Sequence, residues 1–440
     1  MLYNKEIAEK MYDKYKANQN TYQKMYNYKI GKTDIVNGYI KTDRSNRVLQ
    51  DNYIKTFIAE EVSFMVGMPI TYSSKSGNNE MIKEINNNVY NEILDTELAD
   101  TMLTFSEAYE LYYIEGENEE REFKISTYTP LNSIAYKNQT NEVEMFMYFY
   151  YKDLDDKLYM DVIDDEYIYH FDKDFKQVEE PTTHIFKKCP VGIAPLPNGI
   201  SDTLYHNIKS LQDNYELLMS DWSNEIGDTR LAYLKMIGTD IEDEDARKMK
   251  EMGILQVPEK GDVAFLVKNI SSDFYNTYRN IIKEDIYRVS QHIDNQTQIQ
   301  SNTSGTMLAT RMNCLRIKIT TQNQCLVNCI RTRLKFLFKY LNIANGANYN
   351  YKDVLIMPQL NLPSNDVETA QIVSQLNGKL SIQTGLERLS NVTNGREELI
   401  KKLEEDLLIA EYQKKINDIL ESNEVDLDEV EVEGEDDETI

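Results

Sequence analysis

Residues 210–238, SLQDNYELLMSDWSNEIGDTRLAYLKMIG, decide the fold. Together with Ile208, the residues Leu211, Tyr215, Leu218, Trp222 and Ile226 recur three and four apart, a near-heptad stripe that predicts one long helix. Asp202 is placed to cap it and Gly238 to end it. A helix of roughly 30 residues would span about 45 Å, long for a globular protein. A small insert follows, with a charged helix at 243–252 and two strands, ILQVP and DVAFLVKNI, around Glu259, Lys260 and Gly261. A further helix is expected over 273–292. The polar run DNQTQIQSNTSG (294–305) then leads into a second very long helix over 306–343. Its apolar side carries Leu308, Met312, Leu315, Ile319, Leu326, Cys329 and Leu337.

Upstream, residues 1–30 are rich in Tyr and Lys with weak helical character. From Asn46 to Val66 a helical pattern firms up through Val48, Leu49, Tyr53, Phe57, Ile58, Val62 and Met65, and Gly67 and Pro69 stop it. A second helical stretch covers 79–106. Between Tyr109 and Phe186 the character changes to β runs, FKISTY (123–128), VEMFMYFYY (143–151), KLYMDVI (157–163) and YIYHF (167–171). Turn residues separate these runs, as in an antiparallel meander. Pro190, Pro195, Pro197 and Gly199 mark a connection, and 366–420 is helical with breaks at Gly378, Gly385 and Gly395. The fold class is therefore α+β, with two long helical elements around a small insert and a β-rich body before them.

Composition narrows the function. The 440 residues carry a formal net charge of −26. Affinity for nucleic acid comes from neutralising phosphates, so a strongly acidic chain grips DNA poorly. Residues 421–440 hold eleven Asp or Glu and no Lys or Arg, which reads as a solvated tail. The body without it still carries about −15. No apolar run approaches the roughly 18 residues of a membrane helix, and the N-terminus lacks the apolar core of a signal peptide. Four cysteines, Cys189, Cys314, Cys325 and Cys329, do not make a disulfide framework in a chain of this length, and a reducing cytoplasm fits. The 31 tyrosines suit sheet faces and subunit contacts.

A search for catalytic motifs is negative. Gly31-Lys32-Thr33 ends like a phosphate-binding loop, but the first glycine of that motif would fall at Tyr26. Cys314, Cys325 and Cys329 lie on the apolar side of the expected helix and read as core residues without histidine ligands nearby. His170, His184, His206 and His292 have no partner at motif spacing and read as structural or exposed. Asp161, Asp164, Asp165 and Glu166 form an acidic knot at a β turn, read as a solvated turn in preference to a cation site. No cofactor, metal or catalytic set is implied.

Three stretches resemble the portal proteins of long-tailed bacteriophages that infect Gram-positive bacteria. In 210–238 the matching residues are Asp213, Tyr215, Ser220, Asp221, Asn224, Ala232, Tyr233, Leu234 and Gly238. In SGTMLATRMNCLRIKIT (304–320) they are Ser304 and Gly305 before a long basic helix, although Met307-Leu308-Ala309 permutes the family's small and aliphatic residues. NRVLQDNYIKTFIAEEVSFMVGMPITY (46–72) resembles an N-terminal helix ending in Gly-x-Pro-Ile. The segment 195–199 departs from the family's paired asparagines. The resemblance spans roughly residues 40–415.

This resemblance implies a non-enzymatic ring of about twelve copies at a capsid vertex of the virion, assembled in the host cytoplasm, through which double-stranded DNA passes without tight binding. It implies a wing over 1–202, stem helices at 203–238 and 272–292, and a clip over 239–271. A tunnel loop would occupy 293–304, the wing's long helix and following strand 305–365, a crown 366–420 and the acidic tail 421–440. The tunnel-loop residues would be Asn295, Gln296, Thr297, Gln298, Ile299, Gln300, Ser301 and Asn302. The clip residues offered to partners would be Glu242, Asp243, Lys248, Glu251, Glu259 and Lys260. Expected partners are the terminase large subunit, scaffold and major capsid proteins and a head–tail adaptor. The rival readings are another ring-forming head–tail adaptor or minor capsid component, and an enzyme whose catalytic set the sequence does not display.

Overall fold

The chain opens on a full helix where only weak helical character is expected. In the computed structural model α1 runs Lys5–Lys29, and the Asn4 side chain caps it by accepting from the amides of Glu6 and Ile7. Ala8, Met11, Tyr22, Met25 and Tyr28 are buried along it, so tertiary packing and not intrinsic propensity stabilises it. The structure describes residues 2–425 apart from 42–44, 90–92, 117–119, 153–154, 230–232, 238–243, 245–246, 249–261, 267–271, 295–311, 361–365, 377–378, 380, 387–388, 390–391 and 393–394. The helices that follow are α2 (Asp34–Gly38), α3 (Tyr53–Val66), α4 (Asn79–Asn88), α5 (Leu94–Phe105), α6 (Leu204–Thr229), α7 (Ser272–Ser290), α8 (Asn313–Ala344), α9 (Asp366–Gln375), α10 (Ile382–Leu386) and α11 (Gly395–Val425).

The strands are β1 (Thr71–Ser74), β2 (Glu107–Glu115), β3 (Glu122–Tyr128), β4 (Ser133–Lys137), β5 (Val143–Tyr151), β6 (Leu158–Ile163), β7 (Tyr167–Asp172), β8 (Gln177–Thr183), β9 (Val191–Pro195), β10 (Tyr233–Ile237), β11 (Asp262–Leu266) and β12 (Val354–Met357). The fold is α+β, as the sequence indicates. The meander is real but smaller than expected at its start: β4 to β8 form one five-stranded sheet, whereas the FKISTY strand β3 pairs with β2 in a separate sheet ordered β3-β2-β9. The proline region is also more than a connection. Val191 to Pro195 pair with β2, and the proline is tolerated because β9 is an edge strand.

Several expected boundaries move. Thr203, not Asp202, caps α6: its hydroxyl oxygen accepts from the His206 amide, while Asp202 accepts from Asn198. Gly238 does not end α6, which stops at Thr229; Tyr233–Ile237 instead pairs antiparallel with Asp262–Leu266. The expected strand ILQVP and residues 306–311 of the second long helix lie outside the described residues. Cys314 is exposed at the start of α8, unlike the buried Cys329. The C-terminal helix continues to Val425, into the segment read as tail, and Gly385 sits inside α10.

Two compact units make up the chain. One comprises 1–303 with 310–361, the other 304–309 with 362–440. In the first unit the main core joins α3, α5, α6, α7 and α8 through residues such as Phe57, Leu98, Ile208, Ile286 and Ile330. A second core lies between α1 and the five-stranded sheet, where Ala8 and Met11 meet Met145, Met147, Phe149 and Phe171, and Tyr15 stacks on Phe149 at 4.0 Å.

A buried ionic cluster ties α8 to β2 and α5. Arg333 is fully buried, its Nε donates to Glu110 at 3.0 Å, a second nitrogen pairs with the same carboxylate, and Nη1 lies 2.8 Å from Asp95. Tyr112 also donates to Glu110, at 2.9 Å. β9 passes so close that a Cβ at Gly192 would sit 2.2 Å from the Tyr112 hydroxyl and 3.0 Å from Cys329 Sγ. Gly192→Ala is expected to cost about 1–3 kcal/mol in a urea-unfolding measurement, as overpacking does. Gly38→Ala, where a Cβ meets nothing within 4 Å, serves as the control expected to change stability little.

Candidate functional site

The helix expected from Asn46 begins only at Tyr53 because the preceding backbone is committed elsewhere. Side-chain oxygens on α6, four residues apart, accept from amides of the arm at 45–54. Asp228 takes Ser45 N at 3.1 Å, Asn224 takes Arg47 N at 2.7 Å, and Ser220 takes Leu49 N at 2.9 Å. Glu216 takes Asp51 N at 3.3 Å and Gln212 takes Ile54 N at 3.1 Å. Asn224 Nδ2 also donates to the Arg47 carbonyl at 2.9 Å. The match has a simple metric cause. Two residues of extended chain advance about 6.6 Å and four residues of α-helix about 6 Å, so the two repeats stay in step. Asp213 and Asp221 hold elements that precede the arm, accepting from the hydroxyls of Tyr28 in α1 at 2.6 Å and Tyr39 after α2 at 2.8 Å. Burial pushes the Glu216 carboxyl above its usual range despite donations from Thr33 and Gln212.

On its other side α6 packs against α7. Trp222 stacks on Tyr275 at 5.6 Å and 8°, and Tyr275 donates to Glu225 at 2.6 Å, a bond that pushes its phenol up to about 12. Arg279 Nε donates to the Tyr215 hydroxyl at 3.3 Å. Where α7 ends and α8 begins, both chain ends converge on one buried carboxylate from α3. Lys318 Nζ lies 2.7 Å from Glu61 Oε1 and also donates to the Ser290 carbonyl, and Gln322 Nε2 donates to Glu61 Oε2 at 2.8 Å. His292 stacks on Phe57 at 4.1 Å, with Nδ1 3.0 Å from the Ser290 carbonyl. Burial pushes its imidazole down to about 4, outweighing the neighbouring Glu61 carboxylate, which acts the other way, so His292 is neutral at pH 7.

The helices α6 and α7, the β10–β11 pairing and the long α8 place the described parts of 210–237 and residues 313–320 in one compact unit. The family model described as "Phage portal protein, SPP1 Gp6-like" matches residues 8–412. The chain belongs to the phage portal protein family. A search of curated proteins finds no match to it. As a portal protein it is a structural component of the phage capsid vertex and of the channel through which the genome is packaged.

For this portal protein the residues singled out in the tunnel loop, 295–302, lie outside the described residues, as do Glu242, Asp243, Glu251, Glu259 and Lys260. Lys248 is described: it is helical, exposed and 3.5 Å from Glu244. The described geometry therefore brings together the framework around these segments. Other candidates are absorbed into it. Thr33 of the Gly-Lys-Thr run is buried and donates to Glu216, and Gly31 adopts a positive φ of 82° at the end of α1. The acidic knot is not a solvated turn, because Asp161 and Asp164 are both buried. Asp164 accepts from the amides of Tyr3, Glu166 and Tyr167, and Asp161 from Tyr148 and Tyr150, with His170 Nδ1 at 2.9 Å. Among the described residues no group of three or more His, Cys, Asp or Glu could hold a metal ion, and no helix is long and apolar enough to cross a membrane.

Sequence reasoning missed the α6 acceptors at 212, 216, 220, 224 and 228 as a set, and it missed Glu61. The first had a signal, five oxygen acceptors at strict fourfold spacing. The second had none, because its partners lie more than 200 residues away. Glu61→Ala would leave the Lys318 ammonium, 14% exposed, without its partner. The expected loss is about 3–5 kcal/mol in chemical denaturation, with part of it recovered in Glu61→Met/Lys318→Met, since an apolar pair avoids the stranded charge.

Proposed function

We propose that this portal protein forms a ring of about twelve copies around a channel that conducts double-stranded DNA into the capsid during packaging and out of it during ejection. Residues 1–202 and 305–365 serve as wing, 203–238 and 272–292 as stem, 239–271 as clip, 293–304 as tunnel loop and 366–420 as crown, with 421–440 as acidic tail. The clip, through Glu242, Asp243, Lys248, Glu251, Glu259 and Lys260, docks the terminase large subunit and later a head–tail adaptor. Scaffold and major capsid proteins engage the ring during assembly in the host cytoplasm. The protein itself hydrolyses nothing; the energy for translocation comes from the motor it docks.

The observation that carries the ring is the outer face of α7. Its inner face is fixed by Ile282 and Ile286, 4% and 0% exposed. On the neighbouring flank, about 80° round the helix, Phe274, Tyr278, Ile281 and Val289 share one stripe at helical spacing and are 65%, 38%, 50% and 39% exposed. A second apolar face on a helix already packed is the mark of a further protein neighbour. The net charge of −26 supports the conducting role, because an acidic wall repels the duplex and offers few phosphate traps. Gln298 and Gln300 in the tunnel loop can meet phosphates through water without the salt-linked affinity that lysines would add.

Mass photometry of the purified chain at micromolar concentration tests this reading. The wild type should give a single species near twelve protomer masses, and Phe274→Glu/Ile281→Glu should shift it toward protomer with unchanged far-ultraviolet circular dichroism. A wild type that stays at protomer mass sinks the ring.

A further inference from the structure

The helix α11, Gly395–Val425, has side chains exposed at every position from 401 to 419, yet it is far from polar. Most of its exposed apolar residues fall into two groups, with Leu408, 53% exposed, at the edge of the second. In the N-terminal half Ile400, Leu403 and Leu407 follow one another at three and four residues and are 44%, 54% and 67% exposed. In the C-terminal half Ile409, Tyr412, Ile416 and Ile419 do the same and are 47%, 58%, 55% and 58% exposed. At about 100° per residue the second stripe lies roughly 160° around the helix from the first. The two stripes therefore face opposite ways and lie about 15 Å apart along the axis.

This arrangement discriminates between modes of association. A two-fold pair uses the same patch on both copies, so it would cover one stripe and leave the other in water. Two different patches on opposite faces are what a head-to-tail contact requires, with each copy flanked by two others. The charges agree. The first stripe is bordered by the exposed Glu404, Asp406 and Glu411, with Arg396 at its N-terminal end; the second has Glu405 at its N-terminal end and is bordered by Lys415, whose ammonium lies 5.6 Å from the Tyr412 ring. Seating the first stripe on itself would bring acidic borders together, whereas seating it on the second sets them against a flank that carries Lys415.

We propose that α11 is covered by a second and a third copy of this chain, the Leu403 stripe of one copy seating on the Ile416 stripe of the next. The inference rests on the ring reading above and adds to it a specific contact and its direction. Rotational symmetry puts all copies of α11 at one height. The N-terminal half of one reaches the C-terminal half of the next only when the helices lie across the ring axis and overlap like blades.

Cross-linking of the full-length chain decides it. Cys314, the exposed native cysteine, is first replaced by serine; Cys189 and Cys329 are buried and Cys325 half-buried. In that background Leu403→Cys/Ile416→Cys, treated with a short bismaleimide, should give a ladder of covalent dimers, trimers and higher species on a denaturing gel. Leu403→Cys alone and Ile416→Cys alone should stay monomeric on the gel. Rings that are intact by mass photometry but yield no ladder overturn this inference alone, as do dimers from either single variant. A parent protein with no ring mass overturns the ring reading and this contact with it. A second variant guards against loss through the cysteines themselves: Ile409→Glu/Ile416→Glu should lower the urea concentration at which rings dissociate, and an unchanged midpoint contradicts the proposal.

Discussion

Five amides of one arm find their acceptors on every fourth residue of one helix, and the rest of the first unit is built around that match. Buried backbone amides need partners, and a sheet edge is the usual source. Here the partner is a row of side chains, from Gln212 to Asp228, reading the backbone of residues 45–54 in register. At roughly 1 kcal/mol net per bond the row contributes of the order of 5 kcal/mol, comparable with the stability of a whole domain. The row also sets where α3 begins, since the Ile54 amide is held by Gln212 within the first turn. From that fixed start Phe57, Ile58 and Val62 are delivered into the core, and Glu61 is delivered to the point where α7 and α8 meet.

The same helix serves two masters. One side holds the arm through polar atoms, and another packs on α7 through Tyr215 and Trp222. The residues that carry the family likeness in 210–238 divide along this line. Asp213, Ser220, Asp221 and Asn224 bind the arm or the tyrosines near it, while Tyr215 meets Tyr53 edge to face at 5.5 Å and accepts from Arg279. What reads in sequence as an acidic and aromatic signature is, in the fold, a set of acceptors for one particular stretch of backbone. The acidity of this helix thus has a structural share.

Much of this was legible beforehand where the determinants are local. The helix α7 was expected at 273–292 and runs Ser272–Ser290; β5 coincides with VEMFMYFYY, and β3, β6 and β7 fall on their expected runs within a residue or so. The misses share one cause, contacts distant in sequence. Val48 and Leu49 fit a helical pattern, but the Leu49 amide is claimed by Ser220, 171 residues away. α1 looks weak because its apolar positions are few, and it is held by a sheet more than 100 residues distant. Asp161 and Asp164 look like a wet turn because nothing local shows that Tyr148, His170 and the Tyr3 amide close over them.

Residue-resolved amide hydrogen exchange on the full-length protein tests the central match directly. The amides of Arg47 and Leu49 should exchange at least about tenfold more slowly than that of Val48 between them. Ser220→Ala/Asn224→Ala should remove that difference while the amides of α1 keep their protection. Arg47 and Leu49 exchanging as fast as Val48 in the unaltered protein would contradict the account.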